Sequence, residues 1–445
     1  MSSLFLQGLI FSTLVFGALA VLAWWLFLSP LKLPNSSSRA AGDMAVAASH
    51  RLAFTLALLI GIGSQLNIFG GYWDLSEHLV TGIVPGGEDF LWPPHLMVYA
   101  GFLVAFIVAL SGLVAIAVPN LKRGIKDPRR WVRRNPFVGA VVIIAGYGLL
   151  SIPGDAIWHE LYGIDLTAWS PPHLFLTFSA ASLPVAAAGL FTNGQKSNRA
   201  SAQVLPNREL RDTAQAAGPQ TRALKRFNEF ASAMDLTSIV RLLYLASSLL
   251  LLVFIGVVEW EVDSINAYVD KRPVWLYPTI IGVASFFLLV VAKRLVPGPW
   301  TATVMALFYF GLRIAVSAFA DVMSGAPPRM TLVFILGAVL LDLTFQWMQR
   351  LGFKYGDWQV RLAVPGAFMV GYTLVAQPTI EYYMLQFLPR FTIPDHLLTA
   401  LFTFLACAAV YPVAAGLGNW LQSSTRAELE AEPELPGAAS VPIKS

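Results

Sequence analysis

Tyr72-Trp73-Asp74-Leu75-Ser76-Glu77-His78-Leu79-Val80-Thr81-Gly82-Ile83, closed by Trp92-Pro93-Pro94-His95-Leu96, is a polar stretch held between two long apolar runs. It returns once. The second copy reads Asp155-Ala156-Ile157-Trp158-His159-Glu160-Leu161-Tyr162-Gly163-Ile164 and closes with Ser170-Pro171-Pro172-His173-Leu174. Both copies follow Asp-x3-His-x3-Gly-Ile, a gap, and Pro-Pro-His-Leu. The gap is three residues longer in the first copy. The chain holds six histidines, and four of them stand in these two stretches. Such concentration in matched loops asks for a chemical reason.

The flanks set the fold class. The chain is 56% hydrophobic and only 13% charged, where soluble domains carry roughly 25% charge. Apolar runs occur at 4–29 and at about 52–71, 95–118, 137–153, 173–192, 237–258, 274–292, 299–319, 330–349, 362–380 and 396–420. Each is long enough to cross a bilayer, so the expected fold is all-α and polytopic, with about 11 transmembrane helices. The first run has no basic residue before it and is long, which favours a retained helix over a cleaved signal, the alternative. The lone Cys407 lies in an apolar run, so thiolate metal clusters are excluded.

Lys and Arg bias gives the orientation. Lys122, Arg123, Lys126, Arg129, Arg130, Arg133 and Arg134 share one loop, and Arg199, Arg208, Arg211, Arg222, Lys225 and Arg226 share another. Lys293, Arg294, Arg350 and Lys354 mark two more on that side. These are expected in the cytoplasm of a bacterium or archaeon. The two repeated stretches are acidic and face outward, with the N-terminus outside and the C-terminus inside. The basic residues thus serve topology, and the net charge of +4 is no sign of nucleic-acid binding.

The organisation that follows has residues 1–30 as a first helix and 51–192 as two outward-pointing helical hairpins with the motifs at their tips. Residues 193–236 read as a cytoplasmic linker, 237–421 as three further hairpins, and 422–445 as a disordered cytoplasmic tail rich in Glu, Pro and Ala. The later hairpins keep traces of the pattern, such as Pro327-Pro328-Arg329 and Pro394-Asp395-His396, without a full set. They are expected to be structural copies of one repeated unit.

Residues four apart lie on one face of a helix. Asp74 with His78, and Asp155 with His159, therefore present a carboxylate beside an imidazole. Proline is favoured in a helix's first turn, so each Pro-Pro pair starts the next span and sets His95 or His173 in that turn. Two imidazoles and one carboxylate then converge, a donor set that suits copper, with zinc or iron as alternatives, and leaves coordination positions open. One such histidine alone would be read as a hydrogen-bonding residue. The trio occurring twice, in register, favours a metal. The expected ligands are Asp155, His159 and His173 at one site, and Asp74, His78 and His95 at a second. Gly82 and Gly163 are expected to end the motif helices. Trp73, Trp92, Trp158 and Trp169 are expected to anchor at the interface, and Gln65 and Asn67 to support the first site. Glu160 is expected to point away from it, and Arg313 to pair with Asp342 between neighbouring spans.

Over about residues 60–190 these motifs resemble the C subunit of particulate methane and ammonia monooxygenases. There an Asp-x3-His pair, with Trp just before the His, precedes a distal His after a proline-containing turn. The resemblance maps one copper trio onto Asp155, His159 and His173. It maps a second onto Asp74, His78 and His95, where the family often has Asn in place of Asp. It implies copper, O2 activation, other membrane subunits of a complex as partners, and a small neutral or hydrophobic substrate. The three later hairpins go beyond that resemblance. Two other functions fit the same residues: a transporter or permease capturing copper or zinc, and a structural subunit with a non-catalytic metal.

Overall fold

The computed structural model describes residues 17–18, 21–29, 48–81, 91–162, 171–191, 234–263, 275–325, 334–376 and 392–430. Every regular element among them is helical. In chain order these are α1 (His50–Thr81), α2 (Pro93–Lys122), α3 (Pro128–Arg134), α4 (Pro136–Tyr162), α5 (Pro171–Leu190), α6 (Leu236–Asp263), α7 (Leu276–Leu295), α8 (Thr301–Ser324), α9 (Ile335–Arg350), α10 (Trp358–Gly371) and α11 (Ile393–Glu430). A π-helical turn, Tyr372–Ala376, continues α10. Nine helices among the described residues are long and apolar enough to cross a membrane. The chain is an integral membrane protein. Of the two other expected spans, 4–29 lies largely outside the described residues. The other is seen as α9, whose 16 residues fall just short of a bilayer's width. Most of the expected linker, the end of the tail and Arg329 also lie outside.

Prolines start several of the helices, while Pro119, Pro153, Pro184, Pro365 and Pro412 lie in helix interiors. Pro93 and Pro94 occupy the first turn of α2, where a missing N–H costs no helical hydrogen bond. Pro136 and Pro171 start α4 and α5. Asp127 caps α3, its carboxylate accepting from the Arg129 backbone N–H at 3.0 Å.

Helices α1, α2, α4 and α5 form one bundle: α1 packs on α2, α4 on α5, α2 on α4, and α1 on α5. Two close approaches set its spacing. A Cβ on Gly63 of α1 would come within 2.7 Å of the Gly101 carbonyl of α2. A Cβ on Gly148 of α4 would fall 2.1 Å from the ring of Phe102, which is fully buried. Helix α6 keys into this bundle: Tyr244 donates to the Ala57 carbonyl, Ser248 to that of Ala181, and Arg241 to that of Phe191 just beyond α5. Helices α7 to α11 make the second half, with α7 along α11 and α9 along α10. On α2 the side chains of Leu103, Ile107, Leu110, Val114 and Val118 line an exposed stripe, the apolar face a bilayer would cover.

Cross-contacts fix which ends lie together. Tyr72 near the end of α1 donates to the Leu250 carbonyl of α6, and Trp73 meets Phe319 near the end of α8. At the opposite end, the Asn135 side chain before α4 accepts from the backbone N–H of Ala48, just before α1. The two motifs are therefore at one end of the bundle. The basic loop and α3 are at the other, where Arg133 donates to the Leu26 carbonyl and Arg129 lies over the Trp25 ring.

The expected Arg313–Asp342 pair does not form. Asp342, fully buried on α9, takes the Lys293 ammonium on one oxygen and the Thr303 N–H and hydroxyl on the other. Lys293 also donates to the carbonyls of Gly298 and Pro299. Thr303 and Arg313 are ten residues apart on α8, about 15 Å along its axis, so one carboxylate cannot serve both. Arg313 instead lies over the Tyr72 ring at 4.7 Å. Lys293, read in the sequence as a loop cation, is buried.

Candidate metal centre

The motif residues do not sit on short helices of their own. Asp74 lies near the end of α1 and Asp155 near the end of α4, each on the last turns of a spanning helix. These helices reach Thr81 and Tyr162, one residue short of Gly82 and Gly163, which lie outside the described residues. On α4, Asp155 and His159 are four apart and share a face. His173 is the third residue of α5, behind Pro171 and Pro172, as the spacing requires.

The three side chains converge. His173 Nε2 is 3.2 Å from Asp155 Oδ1, and His159 Nε2 is 3.6 Å from the same oxygen. The imidazoles meet edge to face, with ring centroids 5.9 Å apart. One ligand atom from each of the three lies within 4.8 Å of the others. Asp155 Oδ1 is buried yet takes no hydrogen bond of acceptable geometry. A buried carboxylate oxygen beside two imidazole nitrogens, with no hydrogen bond, is an arrangement that suits a cation. Each side chain keeps about a quarter or less of its surface exposed, so the centre is shielded but reachable. The donor set fits a transition metal that takes imidazole and carboxylate.

The first motif is assembled in part. His95 Nε2 lies 3.1 Å from Asp74 Oδ1, joining α2 to α1. The His78 side chain lies outside the described residues. The His95 ring is held between two others: Trp92 meets it edge-on at 5.4 Å, and Tyr99 stacks on it at 6.0 Å.

The two motifs also face each other. His95 interacts electrostatically with Asp155 and His173 of the second hairpin as well as with Asp74. Tyr99 is within electrostatic reach of both Asp74 and Asp155. The packing of α2 against α4 sets the ends that carry the two motifs side by side. Tyr99 escaped the motif reading, although its place four residues after His95 puts it on the same face of α2.

Neighbouring residues fall into place around the cluster. Glu160 is exposed and away from it. Glu77 accepts a hydrogen bond from the Trp73 indole, and Trp158 packs on Tyr162. Gln65 turns away and donates to Ser247 of α6. Asn67 is buried beside Gly101, two turns below Asp74, too deep to touch either ligand set. Trp169 lies outside the described residues. The chain matches no protein-family model, no curated protein and no solved structure.

Proposed function

We propose that this protein is an integral membrane copper protein whose metal is held by Asp155, His159 and His173. The observation that carries the reading is the convergence of one carboxylate and two imidazoles, donated by two helices, within 4.8 Å. Asp74 and His95, 3.1 Å apart, are proposed as part of a second ligand set. Zinc and iron are the alternatives that the donors allow.

The motif resemblance takes the reading one step further, to an O2-activating component akin to the C subunit of particulate methane and ammonia monooxygenases. Bound copper would supply a one-electron couple and an open coordination position. The chain's own part is to hold the imidazoles, shield them on the apolar bundle, and admit a small neutral or hydrophobic substrate. Other membrane subunits would complete the complex. The positive-inside rule sets the cluster on the outer face. A permease reading would need buried charges lining a polar path. Asp342 is closed off by Lys293 and Thr303, and Arg313 rests on Tyr72, which argues against such a path.

Metal loading of the purified full chain tests this reading. Cu(II) added to apoprotein is expected to give an EPR spectrum with nitrogen hyperfine splitting from imidazole. A spectrum of aqueous Cu(II) only would reject it.

A further inference from the structure

Among the described residues, three threonine hydroxyls are buried with no hydrogen-bond partner: those of Thr373, Thr399 and Thr403. Other hydroxyls in the bundle return to the carbonyl one turn back, as Ser64 does to Ile60, Ser285 to Ile281 and Thr279 to Trp275. The three exceptions lie where α10 packs on α11. Thr399 and Thr403 are fully buried and stand one turn apart on one face of α11. Thr373 lies in the π-helical turn that continues α10. The two helices run antiparallel: the Tyr355 carbonyl, ahead of α10, accepts from Tyr411 of α11, and a Cβ on Gly366 would touch the Phe404 ring. That register sets the π-turn level with Thr399. Tyr372 of the π-turn and Thr403 also close on one spot of α7. A Cβ on Gly282 would stand 3.1 Å from the Tyr372 ring and 2.9 Å from the Thr403 methyl. The methyl, not the hydroxyl, is thus the group set against α7.

We propose that these three hydroxyls, with carbonyl oxygens of the π-turn, hold a sodium ion between α10 and α11. Neutral oxygens of this kind replace the hydration shell of a monovalent cation, whereas divalent cations of the calcium and magnesium type call for carboxylates. A π-turn is wider than an α-helical one and carries its carbonyls out of the usual register. Irregular backbone at membrane depth is a recurring source of oxygen ligands for alkali ions. Asp395 places a negative charge one turn beyond Thr399 on the same face of α11, its Oδ2 accepting from the Thr392 N–H and hydroxyl. This is the motif end of α11, since Trp420 near its other end meets Phe137 at the start of α4. The carboxylate offsets part of the ion's charge from outside the site. The site lies in the second half of the molecule and does not rest on the copper reading.

Equilibrium binding of radiolabelled Na+ to the full chain in detergent tests this, with choline chloride holding the ionic strength constant. Wild type is expected to bind a single saturable ion per chain, displaced by unlabelled Na+. The double variant Thr399→Val with Thr403→Val keeps the side-chain shapes and is expected to lose that ion. The control Ser64→Ala on α1 is expected to keep it. Thermal unfolding gives a second readout. In choline chloride the double variant is expected to unfold at or above the wild-type temperature, because Val removes buried hydroxyls that have no partner. Exchanging choline for Na+ should then raise the wild-type midpoint and leave that of the double variant where it was. A wild-type chain with no saturable Na+ overturns the proposal, as does undiminished binding in the folded double variant. If the double variant does not fold, Thr373→Val is read in its place, and wild-type Na+ binding in that variant overturns the proposal equally.

Discussion

At the scale of single residues, the Lys293–Asp342 pair is almost wholly buried, at 3% and 0% side-chain exposure. Removing one partner leaves an uncompensated charge, which costs about 3–5 kcal/mol. Asp342→Leu is therefore expected to lower the midpoint of thermal unfolding sharply in detergent. Lys293→Met combined with Asp342→Leu should recover much of the loss. A single variant as stable as wild type would contradict the pairing. The sequence could not disclose this bond, because its partners stand 49 residues apart on different helices and Lys293 looks like any cation at a span's end. By contrast, Asp155, His159 and His173 were legible from spacing alone. The i, i+4 face and the proline-started helix are local rules, and local rules survive folding. Tyr99 obeys the same spacing rule relative to His95, yet a tyrosine at a membrane boundary has an ordinary reading as an anchor.

At the scale of elements, helix starts were legible because proline and capping residues act within one turn. Asp127 shows how that works on the loop side. Hydrogen bonds from the Arg129 side chain, helped by its backbone N–H, hold the Asp127 carboxyl below the usual carboxylate range. A carboxyl with a depressed folded value stabilises α3 above its unfolded value, and the benefit fades as pH falls through the folded one. At neutral pH Asp127→Ala is expected to cost about 1 kcal/mol through the lost cap, measurable as a shift in unfolding midpoint. The shift should shrink in strong acid; one that grew there would contradict the cap. Interhelical spacing was less legible, since nothing local in Gly148 announces Phe102. Gly148→Leu would drive a side chain into that ring and is expected to destabilise by about 1–3 kcal/mol. An unchanged midpoint would show that α2 and α4 stand further apart than described.

At the scale of the whole molecule, composition alone announced a polytopic helical protein. It could not say that both motifs lie at one end of the bundle side by side, because that depends on α2 packing against α4 and α1 against α5. Nor could it separate α9, at 16 residues, from a full span. The proposed orientation puts the motif end outside. Gly86→Cys in intact cells is expected to react with an impermeant thiol reagent, and labelling only after permeabilisation would invert the topology. The cluster at that end carries the functional reading. Its most direct test is the metal content of the purified chain, counted for copper, zinc and iron per protein in wild type, Asp155→Ala and His173→Ala. The expected result is copper bound in wild type, with a sharp loss in each variant while the unfolding midpoint of the apoprotein stays close to wild type. Full wild-type metal content in both variants would contradict the claim that these residues bind it.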